Sequence, residues 1–256
     1  MSLKLTFLGT GTSQGIPVIG SDHPVCKSED PRDKRLRSSV LISWESGNIV
    51  IDCGPDFRQQ ILRNPVDHLD AILLTHEHAD HTMGLDDIRP FFFRQGDIHF
   101  YASTRVFSSL TRRFDYIFDP NFNYPGIPEI TQHNIEKNLT FQINDLTVLP
   151  VEVDHAGMPV FGFRMRNLAY VTDIKSITSD QKALLMDCEV LVLNALRHEP
   201  HHSHLSLNEA ITLAQELRAK RTYFTHISHT LGFHKEIQES LPAHMFLAYD
   251  ALTVTL

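Results

Sequence analysis

Between Thr75 and His81 the chain reads Thr-His-Glu-His-Ala-Asp-His, with three imidazoles and two carboxylates in its last six positions. Imidazole nitrogens and carboxylate oxygens are the side-chain donors that hold borderline divalent cations. In a loop that runs extended and then turns, His76 and His78 project to one side, while Asp80 and His81 come round one turn later. Two pairs of donors can then face two adjacent points, so two ions are the natural count. The chain has 16 histidines, so some clustering arises by chance, and one stretch needs further donors from elsewhere to make a centre.

Those donors have to be placed by the elements around them. Residues 71–74 are uncharged and read as a short buried strand that delivers the His76 loop. Residues 40–44 and 48–52 read as a hairpin around Gly47. Asp52 at its end either orients a ligand histidine from behind or caps the helix expected to begin near Pro55. Helices are expected over 57–63, 81–91, 104–114, 179–186, 208–219 and 234–241. Strands are expected over 3–8, 98–102, 139–143, 146–153, 160–165, 168–172, 190–193 and 221–225, with a terminal pair at 245–248 and 252–256. His155, Asp173 and His226 each follow directly on a strand, as the His76 loop does. Strand ends in a layered α/β protein line one edge, and ligands bind there.

Bulk properties narrow the classes. With 256 residues and 42% hydrophobic content, and no linker-like stretch, residues 1–256 are expected to form a single domain. The net charge of −8 argues against a broad surface for large nucleic acid or anionic lipid, but suits a small anion held by cations. Residues 3–8 alternate like a strand and lack a signal-peptide core, and no stretch approaches the ~20 apolar residues of a membrane span. A cytoplasmic location is therefore expected. Cys26, Cys53 and Cys188 are too few and too scattered for a disulfide framework. The turn Gly9–Gly15 has no following GK[ST] and is read as a tight connection. The charged run 27–37 is read as a surface excursion. The aromatic stretch 115–133, with Tyr116, Phe118, Pro120, Phe122 and Tyr124, reads as an irregular loop folded on its own aromatics and is expected to serve as a lid or as a subunit contact of a homodimer. His23 and Cys26 have the spacing of a zinc knuckle, but two residues do not make a site.

Taken in order, Thr75-His76-Glu77-His78-Ala79-Asp80-His81, the lone His155, Asp173 at a strand end and Thr225-His226-Ile227-Ser228-His229 resemble the metallo-β-lactamase-fold hydrolases over the whole chain. The resemblance implies an α/β fold, a four-layer αβ/βα sandwich of two mixed sheets with a binuclear centre on one edge. It implies that His76, His78 and His155 hold one ion, that Asp80, His81 and His226 hold the other, and that Asp173 bridges them. Within the family the chain is most similar to the phosphodiesterases, and there to the bacterial phosphoribosyl cyclic phosphodiesterase (PhnP-like) group. That group carries a structural zinc, whose positions here correspond to Ser21, His23, Cys26 and His229. Histidine in place of cysteine still binds zinc, and serine usually does not.

The activity so implied is hydrolysis of a small phosphodiester, cyclic or open, by hydroxide bridging two divalent ions, with Asp80 and His204 as catalytic residues and His204 as general acid. Zinc, manganese or iron would suit the donors. Three other readings compete. A tRNA 3′-end endonuclease of the same fold carries a long arm between the third and fourth ligand motifs, where only 17 residues separate His155 from Asp173. A thioester hydrolase of the glyoxalase type shares the first motif without requiring His204. A non-catalytic metal-dependent binding protein would need only the ligands.

Overall fold

A computed structural model describes every residue except Met1, Pro120 and Asn123. Its central strands are apolar on both faces because both faces are covered. In the strand Val190–Asn194, Val190 and Val192 turn inward with Phe7, Ile42, Ile51, Leu73, Phe163 and Tyr170 to form the core between two sheets. Leu191 and Leu193 turn the other way, onto Ala210, Leu213 and Leu217 of the helix Leu207–Leu217. A third cluster, in which Val50, Ile72 and Phe100 meet Phe57, Phe91, Val106 and Leu110, lies outside the opposite sheet. Three apolar layers between four structural layers make the expected αβ/βα sandwich.

The first sheet contains β1 (Lys4–Gly9), β2 (Ser39–Trp44), β3 (Gly47–Ile51), β4 (Ala71–Leu73), β5 (Ile98–Ala102) and β6 (Ile130–Asn134). The second contains β7 (Phe141–Ile143), β8 (Leu146–His155), β9 (Met158–Met165), β10 (Leu168–Val171), β11 (Val190–Asn194), β12 (Arg221–Thr225) and β13 (Met245–Leu247). A last strand, β14 (Thr253–Thr255), joins the first sheet, whose order is β14-β1-β2-β3-β4-β5-β6; the second runs β13-β12-β11-β10-β9-β8-β7. Both are mixed, because β3 to β6 and β10 to β13 pair in parallel and the rest antiparallel. The helices are α1 (Pro24–Lys27), α2 (Phe57–Arg63), α3 (Ala79–Thr82), α4 (Arg89–Gln95), α5 (Thr104–Arg113), α6 (Asp115–Phe118), α7 (Ser179–Ala183), α8 (Leu207–Leu217) and α9 (His234–Ser240). Among the described residues no helix is long and apolar enough to cross a membrane.

Four expectations need correction. The terminal strands do not pair with each other, because β13 edges the second sheet beside β12 and β14 edges the first beside β1. The helix expected over 81–91 is broken after α3, at a tight crossing of two backbones. A Cβ on Gly84 would stand 2.0 Å from the Gly54 carbonyl oxygen, and one on Gly54 would stand 1.9 Å from that of Asp80. The aromatic stretch 115–133 is not irregular throughout, since α6 opens it and β6 closes it; Pro120 lies outside the described residues.

The fourth correction concerns the charged run. Lys27 to Arg37 is not all surface, for Asp33 is 2% exposed and Arg35 3%. The Arg35 guanidinium donates to the Ala248 carbonyl at 2.5 Å and to Thr10 Oγ1 at 2.8 Å, and its Nη2 lies 3.2 Å from His234 Nδ1. Asp250 completes this buried set by accepting from Thr10 Oγ1 and from the Leu36 N–H, each at 2.8 Å. Charge buried with partners replaces charge solvated, and burial pushes the Asp250 carboxyl up to about 6.

The folded chain therefore holds the Asp250 proton more tightly than the unfolded chain does, and stability from this group falls as pH rises from about 4 to about 6. Unfolding free energies of the protein and of Asp250→Asn, compared at pH 4.5 and pH 7, should diverge by about 2–3 kcal/mol in favour of the variant at the higher pH. A pH-independent difference would contradict the shift.

Candidate metal centre

Four strands that end at one edge of the sandwich lead into inward-facing donors. β8 ends on His155, β12 is followed at once by His226, β10 leads through Thr172 to Asp173, and β4 leads through Leu74 and Thr75 to His76. Three of the turning residues have left-handed backbones, Asp52 at φ 65°, Asp173 at φ 57° and His226 at φ 56°. Such a residue costs about 1–3 kcal/mol when it is not glycine and persists only where its surroundings hold it. Here the left-handed turn directs each side chain back across the strand ends.

The result is a set of overlapping ligand groups. His76, His78 and His155 form one triad and Asp80, His81 and His226 another, the donor atoms of each lying within 4.8 Å of one another. Asp173 falls within the same distance of His76 and His81, and of His155 and His204. All seven expected ligands are thus brought together, in the expected division, with Asp173 between the groups and His204 beside them.

Hydrogen bonds behind the rings settle which nitrogen faces the centre. His81 Nδ1 donates to Asp52 Oδ2 at 2.7 Å, and His155 Nδ1 donates to the Ser203 carbonyl at 2.8 Å. His226 Nδ1 meets Ser38 Oγ at 3.2 Å, and His76 Nδ1 meets Thr75 Oγ1 at 3.0 Å. In each ring the proton belongs on Nδ1 and the lone pair on the inward Nε2, the form a cation needs. Asp52 also accepts the Thr75 N–H at 2.9 Å and the Thr75 hydroxyl, so of its two expected roles it takes the orienting one; α2 begins at Phe57 with no cap from it.

The donor set fits divalent cations on observations of this structure. His76 Nε2 and His81 Nε2 are buried with no hydrogen-bond partner. Carboxylates from Asp80 and Asp173 approach His81 Nε2 to 3.2 and 3.4 Å without hydrogen-bonding it. Buried polar atoms left unpaired are costly, and convergent donors aimed at one point are what a cation satisfies.

Electrostatics favour an ionised Asp173 and neutral rings at His76 and His204, but not at His81, where Asp80, Asp173 and Asp52 overcome burial and raise the ring well above its ordinary value, so that a cation at Nε2 would have to displace a proton. Burial disfavours charge on Asp173, yet His226, His81 and His76 hold its carboxyl well below the usual carboxylate range. Burial and the neighbouring His81 keep His76 neutral far below its ordinary value. His204 is pushed down to about 3, chiefly by burial and then by His226. Its Nε2 lies 3.1 Å from Asp173 Oδ1 and 3.1 Å from His226 Nε2, and its Nδ1 lies 2.9 Å from Ser203 Oγ.

The positions matched to a structural zinc are neighbours of a looser kind. The His23 and His229 rings meet edge-on at 5.0 Å, Cys26 Sγ accepts the Val18 N–H at 3.4 Å, and Ser21 Oγ accepts the His23 N–H at 3.2 Å. Among the described residues, His23, Cys26 and His229 are not one of the groups whose donor atoms close to 4.8 Å.

Several residues that shape the site escape sequence reasoning. The Gly9–Gly15 turn is more than a tight connection, because Gly11 bridges to Ile227 and Thr12 Oγ1 lies 3.1 Å from His226 Nε2. Of the arginines, Arg89 pairs with Asp86, Arg94 covers the Phe91 ring, and Arg164 and Arg197 bond backbone carbonyls away from the ligands. Arg105 and Arg113 are the ones that reach the His76 loop.

Comparison with known proteins accords with this geometry. Residues 47–227 match the family model described as a beta-lactamase superfamily domain. A solved diphosphatase from the PhnP family superposes with a TM-score of 0.93 at 39% identity, covering 100% of this chain and 98% of its own. Zinc-bound PqqB from Methylobacterium extorquens shares the fold, with a TM-score of 0.82 at 21% identity over 99% of this chain and all of that one. An octanoyltransferase of Porphyromonas gingivalis is 39% identical over 98% of this chain, and the chain spans about half (51%) of that curated relative's length. With the two ligand triads, the sandwich and the family model in agreement, the chain belongs to the beta-lactamase superfamily.

Proposed function

We propose that the protein is a binuclear metal-dependent hydrolase of small phosphodiesters or phosphoanhydrides. The observation that carries this reading is the pair of three-ligand groups, with Asp173 within the same 4.8 Å of His76 and His155 from one and His81 from the other, and His204 beside them. Two divalent cations held there, as zinc or manganese, would supply paired Lewis acids that activate water and neutralise a phosphoryl oxygen. His76, His78 and His155 would hold one, Asp80, His81 and His226 the other, and Asp173 both. Asp80 would also accept a hydrogen bond from the attacking water and orient it. His204, with Nδ1 facing Ser203 Oγ, presents Nε2–H toward the centre, where it can hand a proton to the departing oxygen.

The likeness to a PhnP-family diphosphatase supports phosphorus as the reacting centre, and a small substrate suits the short turn between β8 and β9. Residues 156–157 make that turn, and β9 and β10 occupy the span in which a tRNA-holding arm would have to be inserted. Ser21, His23, Cys26 and His229 are the positions at which an additional structural zinc would sit.

Metal-stripped protein reloaded with manganese or zinc should hydrolyse a generic aryl phosphodiester or a dialkyl diphosphate, and the stripped protein should not. Absence of turnover with either ion, in protein that still binds two, would transfer the reading to thioester hydrolysis or to metal-dependent binding.

A further inference from the structure

The His76 loop and the His155 hairpin arise from different sheets, yet three of the ligands for one cation are divided between them. Their backbones meet directly at one point, where the Phe161 N–H donates to the Thr75 carbonyl at 3.1 Å. One such bond leaves the loops free to hinge about it, so something else has to fix their separation.

Helix α5, packed outside the first sheet, supplies two side chains at this junction. Arg105 Nη2 lies 3.1 Å from Glu77 Oε2 and donates to the Pro159 carbonyl at 2.6 Å. Glu77 stands between His76 and His78, and Pro159 follows Met158, the residue opposite His155 in the β8–β9 ladder. Arg113, two turns along the helix, donates from Nη2 to the Glu77 carbonyl at 2.6 Å and from Nη1 to Thr82 Oγ1 at 3.1 Å. Thr82 Oγ1 in turn donates to the His78 carbonyl at 2.9 Å. Glu77 is thereby gripped at both its carboxylate and its carbonyl, and it has no other visible work, since its side chain is absent from every ligand group.

We infer that Arg105 and Arg113 are positioning residues for the three-histidine cation site, with Arg105 clamping the loop that carries His76 and His78 to the hairpin that carries His155. This rests on the metal-centre reading above. Arg113 acts through two nitrogens of one planar guanidinium and Arg105 through a hydrogen bond to Pro159 and an ion pair with Glu77 from a single Nη2, a geometry that a lysine ammonium reproduces only in part. The Asp80–His81–His226 group has its own supports in Asp52, Ser38 and Thr12, none of which touches α5. The Arg105 contact should therefore act on one of the two cations, whereas Arg113 also holds Thr82 at the end of the helix that carries Asp80 and His81.

The test is a zinc titration of the metal-stripped full chain against a chromophoric chelator. Unaltered protein should take up two equivalents at the centre, and any third, at His23, Cys26 and His229, is identified by its loss in Cys26→Ala. Arg105→Ala should still take up two, with one weakened by about 10–100-fold, as loss of outer support for ligands does. The weakened step should be the one removed by His155→Ala and retained in His226→Ala. Arg105→Lys should fall between, and Arg113→Ala, which also frees Thr82 beside His81, should weaken both steps. Unchanged affinities in Arg105→Ala, or an equal weakening of both steps, would overturn the clamp, the second outcome marking mere loss of fold stability. Failure of the unaltered protein to bind zinc would instead overturn the metal-centre reading and the clamp with it.

Discussion

Replacing Asp173 by alanine is expected to lower metal-dependent turnover by on the order of 10³-fold or more, because one carboxylate serves both ligand groups. Its Oδ1 lies 3.1 Å from His204 Nε2 and 3.4 Å from His226 Nε2, while Oδ2 lies 3.4 Å from His81 Nε2 and accepts the Thr172 hydroxyl at 2.7 Å. At 2% exposure it has no water to take its place. Removing any other ligand leaves one complete triad, whereas removing Asp173 loosens both. Metal analysis should accordingly show a fall in bound cation well below two per chain. A variant that kept two ions and lost less than tenfold in rate would exclude Asp173 as the bridge.

The second large effect falls on His204. Alanine there should reduce turnover of an alkyl phosphodiester by about 10²–10⁴-fold, the range for loss of a proton donor. A nitrophenyl ester, whose leaving group departs without a proton, should lose far less. Burial and then His226 push the His204 ring down to about 3, so proton donation at neutral pH requires that a bound anionic substrate raise it, the imidazolium giving its Nε2 proton to the departing oxygen and returning to the neutral ring. Metal content should be unchanged, because none of the seven ligands is altered. Equal losses on both substrates would rule out proton donation and leave His204 a contact to the phosphoryl oxygens.

The convergence of these donors was legible in the sequence for a physical reason. Metal donors are few in kind, they must stand where the backbone leaves a sheet, and strands of four or five apolar residues announce where that happens. His155, Asp173 and His226 could each be found from the strand before them. What could not be read were partnerships closed across the fold. Arg105 and Arg113 look like solvated charges on an amphipathic helix, and nothing local to residues 104–113 says that Glu77 and Pro159 lie against them. Asp33 and Arg35 misled for the same reason, since a charged run is usually a wet one and their partners at 234 and 248 are about 200 positions away. The period-two pattern of residues 245–255 identified two strands but carries no information on which sheet each would join, and the two went to opposite ones. The helix broken at Gly84 failed on a backbone contact with Gly54 that no side-chain pattern encodes.

The placement of β14 has a consequence for how the protein is made. β1 pairs on one side with β2 but on the other with Thr253–Val254–Thr255, through partners such as Lys4 and Thr255. A ribosome adding about 5–20 residues per second leaves roughly 10–50 s between the emergence of the two. Throughout that interval β1 carries a bare strand edge, able to accept a strand from any neighbouring nascent chain. Closure of the first sheet thus waits on the emergence of β14, and yield at high expression should depend on what shields that edge until then.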